Sequence, residues 1–149
     1  MKKYIYFLIV LMSFISCANN SSKLEISQFE IKDKNGVTGI FVTENGQIKI
    51  MDEVIGKIYS TGEIFDKSNK IIAKIDANDN LRDTKGNILC NIDKNGNIDN
   101  GSGKLIGWTE NGEWPEGNQE ISFKIHPNNQ SLYRTASCVI FLYFESAKQ

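Results

Sequence analysis

The side chains with the clearest metal-binding character lie in an acidic, Asn/Gly-rich run, DKNGNIDNGSG, from Asp93 to Gly103. An EF-hand calcium loop that began at Asp93 would need Gly at its sixth position and a carboxylate at its twelfth. The sequence has Ile98 and Lys104 there, and the run that begins at Asp76 fails at both positions as well. We interpret both runs as hairpin turns, because Asn and Gly tolerate the positive φ angles that tight turns require.

A looser cation site remains as an alternative at the same run. It would use the oxygen atoms of Asp93, Asn95 and Asp99. Asp and Asn are so common in hairpin turns that their presence alone does not define a metal site. We therefore expect neither a metal nor a cofactor.

Residues that could act in catalysis lack visible partners. His126 is the single histidine of the chain, and no second imidazole or nucleophile is placed near it by spacing. Cys90 takes the place of a Gly or Ala in a repeated pattern, which predicts burial, whereas a nucleophilic Cys needs a base and partial exposure. We predict a protein with no catalytic residues. An envelope hydrolase is the alternative, and it would need two carboxylates at catalytic separation, or one carboxylate beside His126.

Trp108 and Trp114 are the candidate ligand-binding residues. Trp108 stands in a sequence column that is polar in the three middle repeats, so the strand alternation predicts an outward-facing ring. The other members of the column include Lys57, Lys74 and Asn91. Exposed aromatic faces offer a platform for a glycan such as peptidoglycan, or for a peptide. The alternative is that both rings cover the last repeat where the C-terminal segment docks.

The elements that must position these residues come from a repeat with a period of 17 residues. A small residue occurs once per period, at Gly39, Gly56, Ala73, Cys90 and Gly107. Two positions before it stand Val37, Val54, Ile71, Ile88 and Leu105, and two positions after it stand Phe41, Ile58, Ile75, Ile92 and Thr109. This largely apolar period of two is typical of one face of a strand. A polar turn and another apolar residue follow, so each repeat predicts a two-stranded hairpin.

Five such hairpins predict an all-β fold, because a unit of this length cannot bury its own face and must pack on its neighbours. A small residue at the centre of each inward face is expected where strands approach closely around an axis. Closure also removes exposed sheet edges. We predict a closed, propeller-like ring of five repeats; a linear β-solenoid is the alternative.

The five units, from about Phe29 to Trp114, and the apolar segment that follows them resemble the five-fold β-flower proteins. These are small secreted or lipid-anchored chains of Bacteroidetes. The resemblance covers most of the chain after its first residues. It implies a fold, and it transfers no catalytic residue to this sequence.

The repeat stops after Pro115, and residues 115–149 are predicted to close the ring. From Cys138 to Phe144 both alternating sets of side chains are apolar. This pattern predicts a C-terminal strand that is covered on both faces. The segment is too short for a membrane-spanning helix, and its β-branched and aromatic content favours a strand over a buried helix.

The N-terminal residues 1–16 have the pattern of a secretory signal peptide, with two lysines before an apolar run that is too short to span a bilayer. The sequence FISC that ends at Cys17 is similar to the lipobox of bacterial lipoproteins, which implies removal of the signal peptide and lipidation of Cys17. Lipid would anchor the protein in the envelope, with the outer membrane as the expected place, and residues 17–28 would form the tether. An ordinary signal peptide with a chance cysteine is the alternative.

Length and charge fit one domain, which we assign to residues 29–149 with the repeats at 29–114. The 149 residues carry 17 basic and 18 acidic side chains, and this balance argues against nucleic acid as a partner. The expected partners are a membrane, through the lipid, and a glycan or an envelope protein. Cys90 and Cys138 would lie in a compartment that permits disulfides; two separate buried thiols fit the repeat better, and the sequence leaves the pairing open.

Overall fold

A computed structural model describes residues 23–99, 101, 103, 105–115 and 121–145. The signal peptide and Cys17 lie outside these residues. The chain forms one antiparallel sheet of twelve strands. The strands are β1 (Phe29–Asp33), β2 (Thr38–Val42), β3 (Gln47–Ile50), β4 (Glu53–Ile58), β5 (Glu63–Asp66), β6 (Ile71–Ile75), β7 (Asn80–Asp83), β8 (Ile88–Ile92), β9 (Ile98–Asp99), β10 (Leu105–Ile106), β11 (Glu113–Pro115) and β12 (Ile121–His126).

The sheet curves into a nearly closed barrel. Its strand order is β10-β9-β8-β7-β6-β5-β4-β3-β2-β1-β12-β11, so the end of the chain returns to its beginning. Glu30 of β1 lies opposite His126 of β12, a pairing that a linear solenoid would not bring about. The predicted all-β, ring-like fold is confirmed. Its opening lies between β10 and β11, the two strands at the edges of the sheet.

A β-bulge occurs in successive repeats at the same place. In the second repeat Ile48 pairs with Gly56 and Lys49 pairs with Val54, which leaves Ile55 as the extra residue. The third and fourth repeats show the same shift in register. An extra residue reverses the faces of the residues on its N-terminal side, because side chains alternate with a period of two.

The prediction that the first apolar column faces the core is wrong, and in the second to fourth repeats the bulge is the reason. The side chains of this column do not face the core but are 40% to 65% exposed. They are Val37, Val54, Ile71, Ile88 and Leu105. The small residues of the middle repeats, Gly56, Ala73 and Cys90, are buried as predicted. In the first repeat the register lies one residue later, so Ile40 and Val42 take the inward positions predicted for Gly39 and Phe41.

The predicted C-terminal strand is wrong, because this segment is helical. Helix α1 (Tyr133–Ile140) follows a 3-10 turn (Gln130–Leu132) and continues into a π-helical turn (Phe141–Glu145). Every residue of α1 is buried. A helix satisfies its own backbone hydrogen bonds, so it needs no strand partner inside a barrel. A run that is apolar on all sides fits a buried helix as well as a doubly covered strand, and periodicity does not separate the two.

The helix fills the centre of the barrel. Its side chains bond to Glu25, Asp79 and Gly96, which lie in separate parts of the surrounding wall. Leu24, in the segment assigned to the tether, is also buried and donates its amide to the Ser60 carbonyl at 2.8 Å. The folded region therefore includes residues that precede β1. No helix within the described ranges is both long and apolar enough to cross a membrane.

Candidate functional site

A cleft of about 1090 Å³ opens at the end of the barrel where the turns within the hairpins lie. We call this end the turn end; its turns include residues 43–46, 59–62, 76–79, 93–96 and 109–112. The walls of the cleft are the N-terminal segment 23–26, the turns of the second to fourth hairpins, and the start of α1. Side chains from well separated parts of the sequence therefore meet in one concave surface.

Asp79 breaks the turn pattern at this cleft. Its equivalents in the other hairpins are Gly46, Gly62, Gly96 and Gly112, all with positive φ. Asp79 has a φ of 64°, in the left-handed region, which Asp adopts more readily than most residues with a Cβ. The substitution of Asp for Gly is visible in the sequence as the one departure among these turns. The turn therefore places a carboxylate at the edge of the cleft where the other repeats have no side chain.

Arg134 meets this carboxylate from the first turn of α1. The residue is only 6% exposed, and its Nη2 donates to Oδ1 of Asp79 across 55 positions of sequence. Its Nε is buried and has no hydrogen-bond partner among the described residues. An unpaired buried donor costs about 1–3 kcal/mol, so this guanidinium has unused binding capacity. Sequence reasoning missed the pair, because Arg134 lies before the apolar run taken for a strand and nothing in the sequence places it next to Asp79.

Trp108 points toward α1 and not outward as predicted. Its Nε1 donates to the Tyr133 carbonyl at 3.1 Å and to the Ser137 hydroxyl at 3.0 Å. Its ring stacks on Tyr133 with centroids 5.5 Å apart and meets Trp114 edge to face at 5.2 Å. Trp114 is 4% exposed. The pair covers the junction with the C-terminal segment, and a ligand-binding role for it stays a prediction.

The acidic run between β8 and β9 is a turn, as interpreted from the sequence. Oδ1 of Asp93 accepts the amides of Asn95 and Asn97 at 2.8 and 2.9 Å, and its Oδ2 accepts the Asn97 side chain at 2.7 Å. Asp99 accepts the amide of Gly101 at 2.8 Å. These carboxylates are used in shaping the backbone. The described part of the chain contains no group of three or more metal-ligating side chains.

Cys90 and Cys138 are buried free thiols. Burial raises the pKa of each thiol to about 12. The reactive form of cysteine is the thiolate, so both side chains serve as small core residues at neutral pH.

His126 lines a second, smaller groove of about 380 Å³ over β1, β11 and β12, together with Asp33 and Glu113. Glu30 lies directly opposite His126 in the sheet register. Glu30 accepts hydrogen bonds from Thr38 at 3.0 Å and is paired with Lys32 at 3.1 Å. These contacts, that of Lys32 first, lower the pKa of the Glu30 carboxyl. The Glu30 carboxylate is thus engaged by a lysine and a threonine hydroxyl, whereas in a hydrolytic triad the carboxylate bonds to the imidazole.

Comparison of the chain with models of protein families, with curated proteins and with solved structures finds no match.

Proposed function

We propose that this chain is a lipid-anchored protein of the cell envelope that binds a ligand in the cleft beside Arg134 and does not transform it. The observation that carries the proposal is the cleft, with a volume of about 1090 Å³ and a buried guanidinium that is incompletely paired. A concave surface on which a few polar groups converge is the usual form of a ligand site.

The expected anchor supports this arrangement. Lys23 lies at the cleft, six positions after Cys17. Six residues of extended chain span at most about 20 Å. A lipid on Cys17 would therefore hold the turn end close to the membrane surface, where the cleft would meet components of the envelope.

A binding role fits the chemistry of the reactive side chains better than catalysis does. The thiol of Cys90, with its pKa raised to about 12 by burial, supplies no nucleophile at neutral pH. Glu30, the residue opposite His126 in the sheet register, is already engaged by Lys32 and Thr38. Nucleophilic catalysis also needs a hydroxyl or thiol that a base can activate. None of the residues that line the groove around His126 carries one.

The anchor is tested by fractionating cells that express the wild-type chain or Cys17→Ala. We expect the wild type in the membrane fraction and in the detergent phase after extraction, and Cys17→Ala in the soluble fraction. Cys90→Ala is the matched control, because it removes a buried thiol and should leave the distribution unchanged. Equal distribution of wild type and Cys17→Ala would contradict the anchor.

The cleft is tested by native mass spectrometry of the full chain extracted from envelopes. Ser60→Trp puts a bulky side chain on the cleft wall, whereas Ser68→Trp puts it in an exposed turn at the opposite end of the barrel. We expect a copurified ligand on the wild type and on Ser68→Trp, and a loss of that ligand from Ser60→Trp. The same ligand mass on all three proteins, or none on any of them, would overturn the binding role of the cleft.

A further inference from the structure

We propose that the cleft recognises the carboxylate of a small acidic ligand, which binds the edge of the Arg134 guanidinium formed by Nε and Nη2. The inference deepens the proposed function, on which it rests for the presence of a ligand in the cleft. It assigns the ligand's chemical class and the atoms that would hold it.

Hydrogen-bond accounting at Arg134 is the first argument. A guanidinium presents five N–H donors in a rigid fork, and the Nε/Nη2 edge matches the two oxygens of a carboxylate. In the structure Asp79 occupies Nη2 with one oxygen, and Nε has no partner among the described residues. On this edge Nη2 is therefore occupied, and Nε is not. The unpaired atom is a donor, so the group that completes it must supply an acceptor.

Charge around the cleft is the second argument. The ionisable side chains that line it are Lys23, Glu25, Asp79, Lys94 and Arg134. Three are cationic and two are anionic, so the lining carries a net positive charge of one. An anionic ligand is favoured by this balance, and a cationic ligand is opposed.

Size is the third argument. A volume of about 1090 Å³ exceeds what a lone carboxylate would fill, and the walls also include the apolar side chains of Leu24, Ile26 and Ala77. The ligand thus has an apolar or neutral body in addition to its carboxylate. Ser131, at the start of the helical segment, adds a hydroxyl to the same wall.

Asp79 acts in this arrangement as a resident carboxylate that competes with the ligand. It stands where four other hairpins have Gly, so Asp79→Gly restores a residue that the turn accommodates without strain. The substitution frees the whole Nε/Nη2 edge. We expect affinity for small carboxylates to increase by about tenfold or more, since a carboxylate no longer has to displace one already bound.

The test follows the Arg134 Nε–H signal by NMR in the full-length chain. Acetate and succinate are titrated against wild type and Asp79→Gly, with chloride at matched ionic strength and inorganic phosphate as comparisons. We expect saturable shifts of this signal with both carboxylates, tighter for Asp79→Gly than for the wild type. In the wild type, carboxylate binding should also shift the backbone amide signals of Ser131 and Asn78. Arg134→Lys keeps the charge but lacks the Nε/Nη2 edge, so these amide shifts should be lost.

Three results would overturn the inference: no saturable shift with either carboxylate in Asp79→Gly, the same shift with chloride, or binding of phosphate alone. Because Arg134→Lys could fail to fold, the comparison of wild type with Asp79→Gly decides the matter by itself. If the NMR titration fails but Ser60→Trp still loses a copurified ligand, the carboxylate class is wrong and the binding role of the cleft stands. Carboxylate binding without any copurified ligand would keep the carboxylate site at Arg134 and overturn the proposal that the cleft carries a ligand in the envelope.

Discussion

Ser137 joins the central helix to the wall of the barrel at the point where the ring opens. In most repeats the turn carbonyl accepts the amide of the next strand, as in the bond of 2.9 Å from Ile58 to Gly46. At Gly96 the carbonyl accepts the Ser137 hydroxyl at 2.6 Å. The same hydroxyl accepts the indole N–H of Trp108 at 3.0 Å. One side chain thus replaces an interaction between repeats.

Replacing Ser137 by Ala is expected to destabilise the fold by about 1–3 kcal/mol, because it leaves the Gly96 carbonyl without its buried donor. The free energy of unfolding in urea is the measurement. The control is Ser68→Ala, an exposed position where we expect a change within about 0.5 kcal/mol. Equal stability of the two variants would show that the hydroxyl bonds contribute nothing net.

At the level of the secondary-structure elements, aspartate side chains shape the turns between strands. The Asp76 carboxylate accepts the amides of Asn78 and Asn80 at 2.8 and 3.0 Å and the Arg82 Nε at 2.6 Å. Burial alone would raise the pKa of this carboxyl, but the bonds from Arg82 and the two asparagines outweigh it and lower the pKa. The pKa values of the Asp33 and Asp83 carboxyls are also lowered, chiefly by the Val37 amide at Asp33 and by the Asn87 side chain at Asp83.

A lowered pKa in the folded state makes stability depend on pH in one direction. The contribution of Asp76 is present above the unfolded value of about 3.9 and is lost as the pH falls through the lower folded value. We expect the wild type to lose stability below about pH 4. Asp76→Asn should be less stable near neutral pH and lose less on acidification, as chemical denaturation across this range would show. Parallel pH profiles for the two proteins would exclude the linkage.

The bulge sets two isoleucines of strand β6 in opposite environments. Ile71 is 42% exposed and Ile75 is 1% exposed, although the repeat alone predicts one face for both. Ile75→Ala should cost about 2–5 kcal/mol, because it removes packed atoms and leaves a cavity. Ile71→Ala should cost less than about 1 kcal/mol, since little area leaves water. Thermal and urea unfolding of this matched pair test the register, and similar losses would contradict it.

Sequence patterns predict hairpins and turns well here because each repeat confirms the others. The bulge escapes prediction because an inserted residue such as Ile55 is apolar like its neighbours, so the column stays regular while the face changes. The helix escapes because its polar residues Arg134, Thr135 and Ser137 are buried as well, and the apolar run from Cys138 fits a covered strand equally well. The Asp79–Arg134 pair escapes because it joins a turn to that helix, although Asp79 alone is visible as the departure from Gly.

The barrel as a whole departs from five-fold regularity most clearly where it opens. Trp108 lies between β10 and β11, the two strands at the edges of the sheet, and its indole donates to Tyr133 and Ser137 of α1. The described strand β10 is two residues long, whereas β6 has five. Short edge strands have few partners that hold them, so local opening should occur there first.

Hydrogen exchange is expected to follow this asymmetry. The amides of Ile75 and Ile92, which donate to the preceding turns at 3.0 and 2.7 Å, should exchange only by global unfolding, and the amide of Ile106 should exchange by local opening. Trp108→Phe keeps an aromatic ring and loses the two indole bonds, each of which contributes about 0.5–1.5 kcal/mol. The substitution should accelerate exchange of the β9 and β10 amides by local opening. The β6 amides should still exchange only by global unfolding. Uniform acceleration in all strands would mean that the barrel opens as one unit, and that the inward turn of Trp108 does not create a separate, weaker region.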